Sequence, residues 1–280
     1  MEPLVLNTAT VIALAVVGLL AGGVGGLIGV GGSIVMIPAM TELFGGRQHL
    51  YQAAAMIVNF FVAAPALVQH VRASAVMGAV VRRMAPVAVL AVGLGVMLSE
   101  LPLFRGGGQA WLMILFGGLV LVAATRSAAR VWRPRRDLGG AGGHAPSASG
   151  WRIALLAGAP TGLVAGLLGV GGGVVCVPVQ TRLLGVPLRN AIANSAATIV
   201  ALSSVGALAK NYAIAHVAGG ATLKLSLTLA CVLIPTAMLG SWITSRLTHV
   251  LPVRTVRGAL VVFLTVAGVR MIVRGMAIAP

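Results

Sequence analysis

The chain has 280 residues, of which 59% are hydrophobic and only 9% are charged, and its mean hydropathy is +1.03. A soluble domain carries roughly a quarter of charged residues because its surface faces water. The composition therefore excludes a water-soluble globular fold and indicates a surface that faces lipid.

The net charge of +16 does not indicate a nucleic-acid partner, although it is large. The basic residues lie between apolar runs or at their ends, as the topology signals of membrane proteins do, rather than forming a phosphate-binding surface. Two cysteines, Cys176 and Cys231, lie inside apolar runs, and no Cys/His spacing suits a metal. We therefore expect no nucleic acid, no metal and no cofactor.

Eight apolar runs follow one another along the chain, each close to the roughly 20 residues that cross a bilayer as a helix. They are Thr8–Ile28, Gln52–Gln69, Met84–Ser99, Gln109–Ala124, Ile153–Leu168, Ala191–Ala209, Leu225–Ile243 and Gly258–Val273. We predict an all-α, polytopic protein with about eight spans, whose partner is the lipid bilayer of the cell inner (plasma) membrane.

Residues 133–151 are the least membrane-like part of the chain and are rich in Arg, Gly and Pro. This composition is typical of a flexible linker. We expect the linker to lie in the cytoplasm, because arginines precede and begin it. It separates a first transmembrane repeat, residues 1–132, from a second, residues 152–280.

The two halves are similar at a shift of 140 residues. Of the 20 positions from Gly26 to Gly45, 11 are identical to the positions from Gly166 to Gly185, and Pro38 aligns with Pro178. We predict an internal duplication, which is common in transporters and places the transport site between the repeats.

Glycines also recur every four residues in the first run of each half. They are Gly18, Gly22 and Gly26 in one and Gly158, Gly162 and Gly166 in the other. Small residues at this spacing predict close packing of helices in lipid.

A glycine block interrupts each of these two regions, at Gly29–Gly32 and at Gly169–Gly173. Glycine adopts positive φ angles and lets a ligand approach the backbone. The 12-residue stretches that follow would form helices about 18 Å long, short of the roughly 30 Å hydrocarbon core. Pro38 and Pro178 further predict that each restarted helix is short or kinked. We predict two helix breaks, each followed by a re-entrant helix.

Two topologies remain open. If the short stretches are re-entrant, each half crosses the membrane four times and the repeats are parallel (4+4). If they cross fully, each half crosses five times and the repeats are inverted (5+5). Both obey the positive-inside rule, and the length of the short stretches favours eight spans in two tandem four-helix repeats.

The breaks are the predicted binding site. Non-helical backbone survives at membrane depth only where protein or a watery cavity surrounds it. A helix that restarts after a break directs N–H groups and its positive dipole end at the break, which suits an anion. Polar residues of the later spans complete the candidate set, and Asn194 and Thr198 share a helix face. The predicted substrate-binding residues are Gly29, Gly31, Gly32, Ser33, Gly169, Gly171, Gly172, Gly173, Asn194, Ser195 and Thr198.

The paired pattern from Gly26 to Pro38 and from Gly166 to Pro178 resembles that of the sulfite-exporter (TauE/SafE-type) permeases. The resemblance covers nearly the whole chain. It implies transport of small sulfur-containing anions such as sulfite or sulfonates. The polar cluster that follows the proline in the second half of these permeases is matched by Ala193-Asn194-Ser195, whereas the first half has three alanines, Ala53–Ala55.

We therefore predict a permease, a secondary transporter or facilitator, for small anions. The alternative is a channel whose fixed pore is formed by the paired re-entrant segments. An enzyme is not expected, because no nucleophile–base pair, carboxylate dyad or phosphate-binding lysine motif is present. The direction of transport, a coupling ion (H⁺ or Na⁺) and the oligomeric state, including a homodimer, remain open.

Overall fold

The computed structural model describes residues 7–28, 31–132, 150–217, 219–247 and 253–278. Within these ranges the regular structure is helical. The helices are α1 (Thr8–Ile28), α2 (Ser33–Phe44), α3 (Gln48–Arg72), α4 (Gly78–Ser99), α5 (Gln109–Trp132), α6 (Gly150–Leu168), α7 (Gly173–Leu183), α8 (Leu188–Val217), α9 (Gly220–Leu247) and α10 (Val253–Ile278). Gly29, Val30 and residues 133–149 of the predicted linker lie outside the described residues, so neither Gly29 nor the side of the membrane on which the linker lies is tested.

Eight of these helices are long and apolar enough to cross a membrane, which confirms the prediction of a polytopic all-α protein. The two described α-helices too short to cross are α2 and α7, with 12 and 11 residues. Their length follows from the preceding glycines and from the proline inside each. Pro38 and Pro178 have no N–H to donate to the carbonyls of Ile34 and Val174.

The four-residue glycine spacing brings α1 against α9 and α6 against α4. A Cβ on Gly22 would overlap the backbone of Ala237, and a Cβ on Gly162 would overlap the backbone of Ala88. Glycine has only a hydrogen atom where other residues carry a side chain, so the two backbones approach closely. Dispersion contacts then hold the helices together, because the hydrophobic effect does not drive helices together in lipid. The prediction of helix packing by these glycines is confirmed.

The contacts between helices fix their directions. Gly18 and Gly26 of α1 face Leu233 and Ser241 of α9 in ascending order, so these helices are parallel. Gly158 and Gly166 of α6 likewise face Met84 and Val92 of α4 in ascending order.

The central helices α3 and α8 run in opposite directions. The side chain of Asn190 near the start of α8 bonds the carbonyl of Ala75 just beyond the end of α3, and Lys210 near the end of α8 bonds Gln52 near the start of α3. Because α4 and α9 fold back on α3 and α8 after short turns, α1 and α6 also run in opposite directions.

Helices that correspond at the 140-residue shift are therefore inverted relative to one another. This arrangement favours the inverted (5+5) topology, whereas the length of the short stretches favours the parallel (4+4) topology. The physical reason is the path of the chain after α1. The break and α2 together return the chain to the end of the bundle from which α1 starts, although only part of this path is helical. The duplication itself remains a prediction.

We call the end of the bundle at which α5 ends and α6 begins the linker end, and the end at which α3 begins the far end. The helix α2 ends at the far end, where Arg274 of α10 donates to the carbonyl of Thr41. The helix α7 ends at the linker end. Both short helices begin within the bundle, beside the middle of α3 and α8.

Candidate functional site

The glycine blocks leave the helical conformation, as predicted. Gly31 has a φ of +89°, Gly169 of +73°, Gly171 of +71° and Gly172 of +84°. These angles lie in the left-handed region, which costs a residue with a Cβ roughly 1–2 kcal/mol. Gly32 has an ordinary φ of −74° and directly precedes α2.

Both breaks meet at the side chain of Asn59, the twelfth residue of the 25-residue helix α3. Its Oδ1 accepts a hydrogen bond of 3.2 Å from the backbone N–H of Ser33, the first residue of α2. Because that N–H can only donate, the accepting atom is the amide oxygen, and Nδ2 is left for the second break. A Cβ on Gly171 would lie 2.9 Å from Nδ2, and a Cβ on Gly31 would lie 3.5 Å from the carbonyl oxygen of Val170.

Hydrogen-bond donors accumulate at this meeting point. Asn59 Nδ2 and the Ser33 hydroxyl are both fully buried, and neither has a hydrogen-bond partner among the described residues. In α7 the helical hydrogen bonds begin with Val175 and Cys176, which both donate to the Gly172 carbonyl. The N–H groups of Gly173 and Val174 precede them and belong to the positive end of the helix dipole. A small acceptor, above all an anion, matches such a set of donors.

A cavity of about 50 Å³ lies next to the N-termini of both short helices. A volume of this size holds a few water molecules, and hence an anion of a few heavy atoms. Ile34, Gly173 and Val174 line it from α2 and α7, and Arg126 and Ser127 line it from α5. The rest of the lining is mostly apolar, and the half-buried Arg126, six residues before the end of α5, places a cation on the side of the cavity toward the linker end.

The other predicted polar residues form a separate group on α8. Asn194 accepts from the N–H of Met77 at 2.8 Å and donates to Gln180 of α7 at 2.8 Å. Each polar atom of its amide thus makes one hydrogen bond, and the side chain holds α7 and the start of α4 in place. Asn194 therefore positions α7, and its direct contact with the anion stays a prediction. Thr198 donates to the carbonyl of Asn194 at 2.8 Å, which confirms their common face.

Ser195 and Thr198 surround the thiol of Cys176 together with Thr161 and Gln180. The Gln180 amide donates to this sulfur at 2.9 Å. The group lies on the first turns of α7, beyond the break. The structure thus brings Gly31, Ser33 and Gly171 together at Asn59, and it places Asn194, Ser195 and Thr198 one layer further toward the linker end.

A buried charged cluster was not predicted from the sequence. Lys210 of α8 is fully buried and bonds Gln52 and Ser99, and the carboxylate of Glu100 is nearby. The apolar run in the sequence ends at Ala209, before this lysine, whereas α8 continues to Val217. The apolar residues after Asn211 were the available signal that the helix goes on. Gln52 also packs beneath the second break, because a Cβ on Gly169 would lie 2.7 Å from its Cβ.

Comparisons with known proteins agree with this architecture. The sequence pattern that defines the family "Sulfite exporter TauE/SafE" matches residues 14–271. A protein named "Probable membrane transporter protein MamO" from Magnetospirillum gryphiswaldense is 27% identical over 297 residues, which cover 95% of this chain and 45% of that protein. The protein of the same name from Paramagnetospirillum magneticum is 27% identical over 296 residues, with the same coverage. The chain thus spans about half the length of the curated relatives it matches. No solved structure matches.

Proposed function

The chain belongs to the sulfite exporter TauE/SafE family, and on that premise we propose that it is a permease for small sulfur-containing anions, sulfite or sulfonates. The family and the two relatives are described as exporters or transporters, not as enzymes. The inner (plasma) membrane as its location and H⁺ or Na⁺ as a coupling ion are part of the proposal.

The observation that carries the proposal is the convergence of the two short helices on Asn59. Two helix N-termini, a backbone with positive φ angles and an unpartnered amide nitrogen converge on one buried point. Helix N-termini favour negative charge, and an unpartnered amide nitrogen favours a hydrogen-bond acceptor. The two carboxylates among the described residues, Glu42 and Glu100, lie at the far end rather than at this point. An oxyanion accepts several strong hydrogen bonds at once, so it satisfies these donors better than a neutral solute does, and a cationic solute would leave them unpaired.

The inverted helices suit a carrier. The first break is reached by α2 from the far end and the second by α7 from the linker end, so a small relative movement of the two halves would expose the same point to either side. A channel needs a continuous pore instead.

Flux measurements with purified full-length chain in proteoliposomes test the proposal. We expect saturable sulfite uptake, inhibited by a sulfonate and unaffected by a neutral sulfone, with protein-free vesicles as the control. Absence of flux for sulfite and for a panel of sulfonates would contradict the proposal. Unitary currents in planar bilayers would support the channel instead.

A further inference from the structure

Lys210 is a buried cation that the proposed site at Asn59 does not use. Its side chain is fully buried in α8. Two of its three N–H bonds have neutral acceptors, Gln52 Oε1 at 2.8 Å and Ser99 Oγ at 2.6 Å. The nearest carboxylate oxygen, Oε1 of Glu100, is 3.9 Å away, which is an ion-pair distance but too long for a hydrogen bond. A buried ammonium is costly unless it is well paired, so this lysine requires a further explanation.

Neutralising Glu100 does not provide that explanation. The carboxylate already faces His49 Nδ1 at 3.2 Å and Arg105 Nε at 3.6 Å. Burial raises the pKa of Glu100, but the hydrogen bond from His49 and the charges of His49, Lys210 and Arg105 outweigh it and bring the pKa below its ordinary value. Glu100 is therefore ionised at neutral pH. One carboxylate then faces two basic side chains, Lys210 and Arg105, so with Lys210 protonated the cluster carries surplus positive charge.

The surplus charge lies along the second break. Gln52 and Asn59 are seven residues apart on α3, so they share a face and are about 10 Å apart along the axis. Gly169 lies over Gln52 and Gly171 lies over Asn59, so the break follows this face from one to the other. Lys210 bonds the oxygen of Gln52, and the Gln52 amide nitrogen is buried without a partner among the described residues. Among the described residues, Lys210 therefore has one N–H without an acceptor, and the Gln52 side chain that it contacts has an amide N–H₂ without one.

We infer that Lys210 and Gln52 form a second anion station, two turns of α3 from Asn59 toward the far end, which takes a small oxyanion such as sulfite. The inference rests on the proposed transport of anions. An anion at this station accepts from the third N–H of Lys210 and from Nε2 of Gln52, while His49 and Arg105 keep Glu100 paired. A substrate that leaves Asn59 toward the far end then finds a counter-charge about 10 Å further along its path.

Sulfite binding to the purified full-length protein tests whether Lys210 binds the anion or only neutralises Glu100. The variants are Lys210→Gln, the double variant Lys210→Gln/Glu100→Gln, and Lys224→Gln, which removes an exposed lysine of α9 as the matched control. Each is measured for sulfite affinity and for thermal stability. We expect Lys210→Gln to weaken sulfite binding at least tenfold and to lower thermal stability, and Lys224→Gln to change neither.

The double variant decides the matter. It removes the buried lysine and its carboxylate together, so stability should recover while sulfite affinity stays at least tenfold weaker than wild type. Recovery of both stability and affinity would overturn the second station and leave the proposed permease intact. A wild-type protein that binds no sulfite and no sulfonate would overturn the proposed function, and the second station with it.

Discussion

At the scale of single residues, the proposed site depends on one side chain, Asn59, on which the glycines of both breaks converge. A glycine block followed by a proline is a local signal, and the positive φ angles of Gly31 and Gly171 confirm it. The position of Asn59 at the meeting point depends on how α3 is rotated between two breaks 140 residues apart. An Asn inside an apolar run does not specify that rotation, because helix-to-helix hydrogen bonds use the same residue type.

Gly171→Ala tests whether the break contacts the anion. The added methyl group lies 2.9 Å from Asn59 Nδ2 and also strains a φ of +71°. We expect at least a tenfold loss of sulfite affinity in isothermal titration. Ser195→Ala should lose at most about fivefold, because one neutral hydrogen bond contributes on the order of 1 kcal/mol.

The matched control for Gly171→Ala is Gly185→Ala. Gly185 has a φ of +66° and open space around it, so it carries the same backbone strain without contact with the site. Gly185→Ala should lose about 1–2 kcal/mol of stability from strain alone, Gly171→Ala at least as much, and only Gly171→Ala should lose affinity. Equal affinities in the two folded variants would rule out contact between the break and the anion.

At the scale of helices, apolar runs predicted the existence of the eight long helices well and their ends poorly. The prediction ended one run at Ala209 because Lys210 follows, yet α8 continues to Val217. The lysine is tolerated within the helix because Gln52, Ser99 and Glu100 lie around it on α3 and at the end of α4. These partners are far away in sequence, so a window along the chain cannot anticipate them.

Helix packing by glycine gives a second prediction. Gly22→Ala places a methyl group into the backbone of Ala237, so we expect a loss of about 1–3 kcal/mol of stability from overpacking. Gly118 in the middle of α5 has open space around it, and Gly118→Ala should be neutral or slightly stabilising through better helix propensity. Thermal unfolding of the two purified variants checks the difference, and equal midpoints would refute the packing role.

At the scale of the whole molecule, the two ends differ in charge although their helices correspond. The 140-residue shift relates Glu42 of α2 to Arg182 of α7. Glu42 pairs with Arg270 at 2.8 Å and with Arg274 at 3.1 Å, which ties α2 to α10 at the far end. At the linker end Arg182 instead adds its charge to that of Arg126 on the cavity wall. Among the described residues both carboxylates, Glu42 and Glu100, lie at the far end, so an approaching anion is attracted more strongly to the linker end.

Arg126→Gln tests this asymmetry in vesicles of known orientation. We expect KM for sulfite presented at the linker end to rise by about threefold at low ionic strength and by less at high salt, because exposed charges are screened. The control is Arg82→Gln, which removes an exposed arginine of α4 at the same end and should leave KM unchanged. An equal rise of KM from both sides of the membrane would contradict a charged entrance at the linker end.

The most direct measurement of the central claim is anomalous scattering from crystals of the purified protein soaked in selenite, the heavier analogue of sulfite. The claim is that the two glycine breaks hold the anion at Asn59. The predicted result is a selenium peak within hydrogen-bonding distance of Asn59 Nδ2 and the Ser33 hydroxyl, between Gly31 and Gly171. Selenium bound at full occupancy elsewhere, with no peak at Asn59, would contradict it.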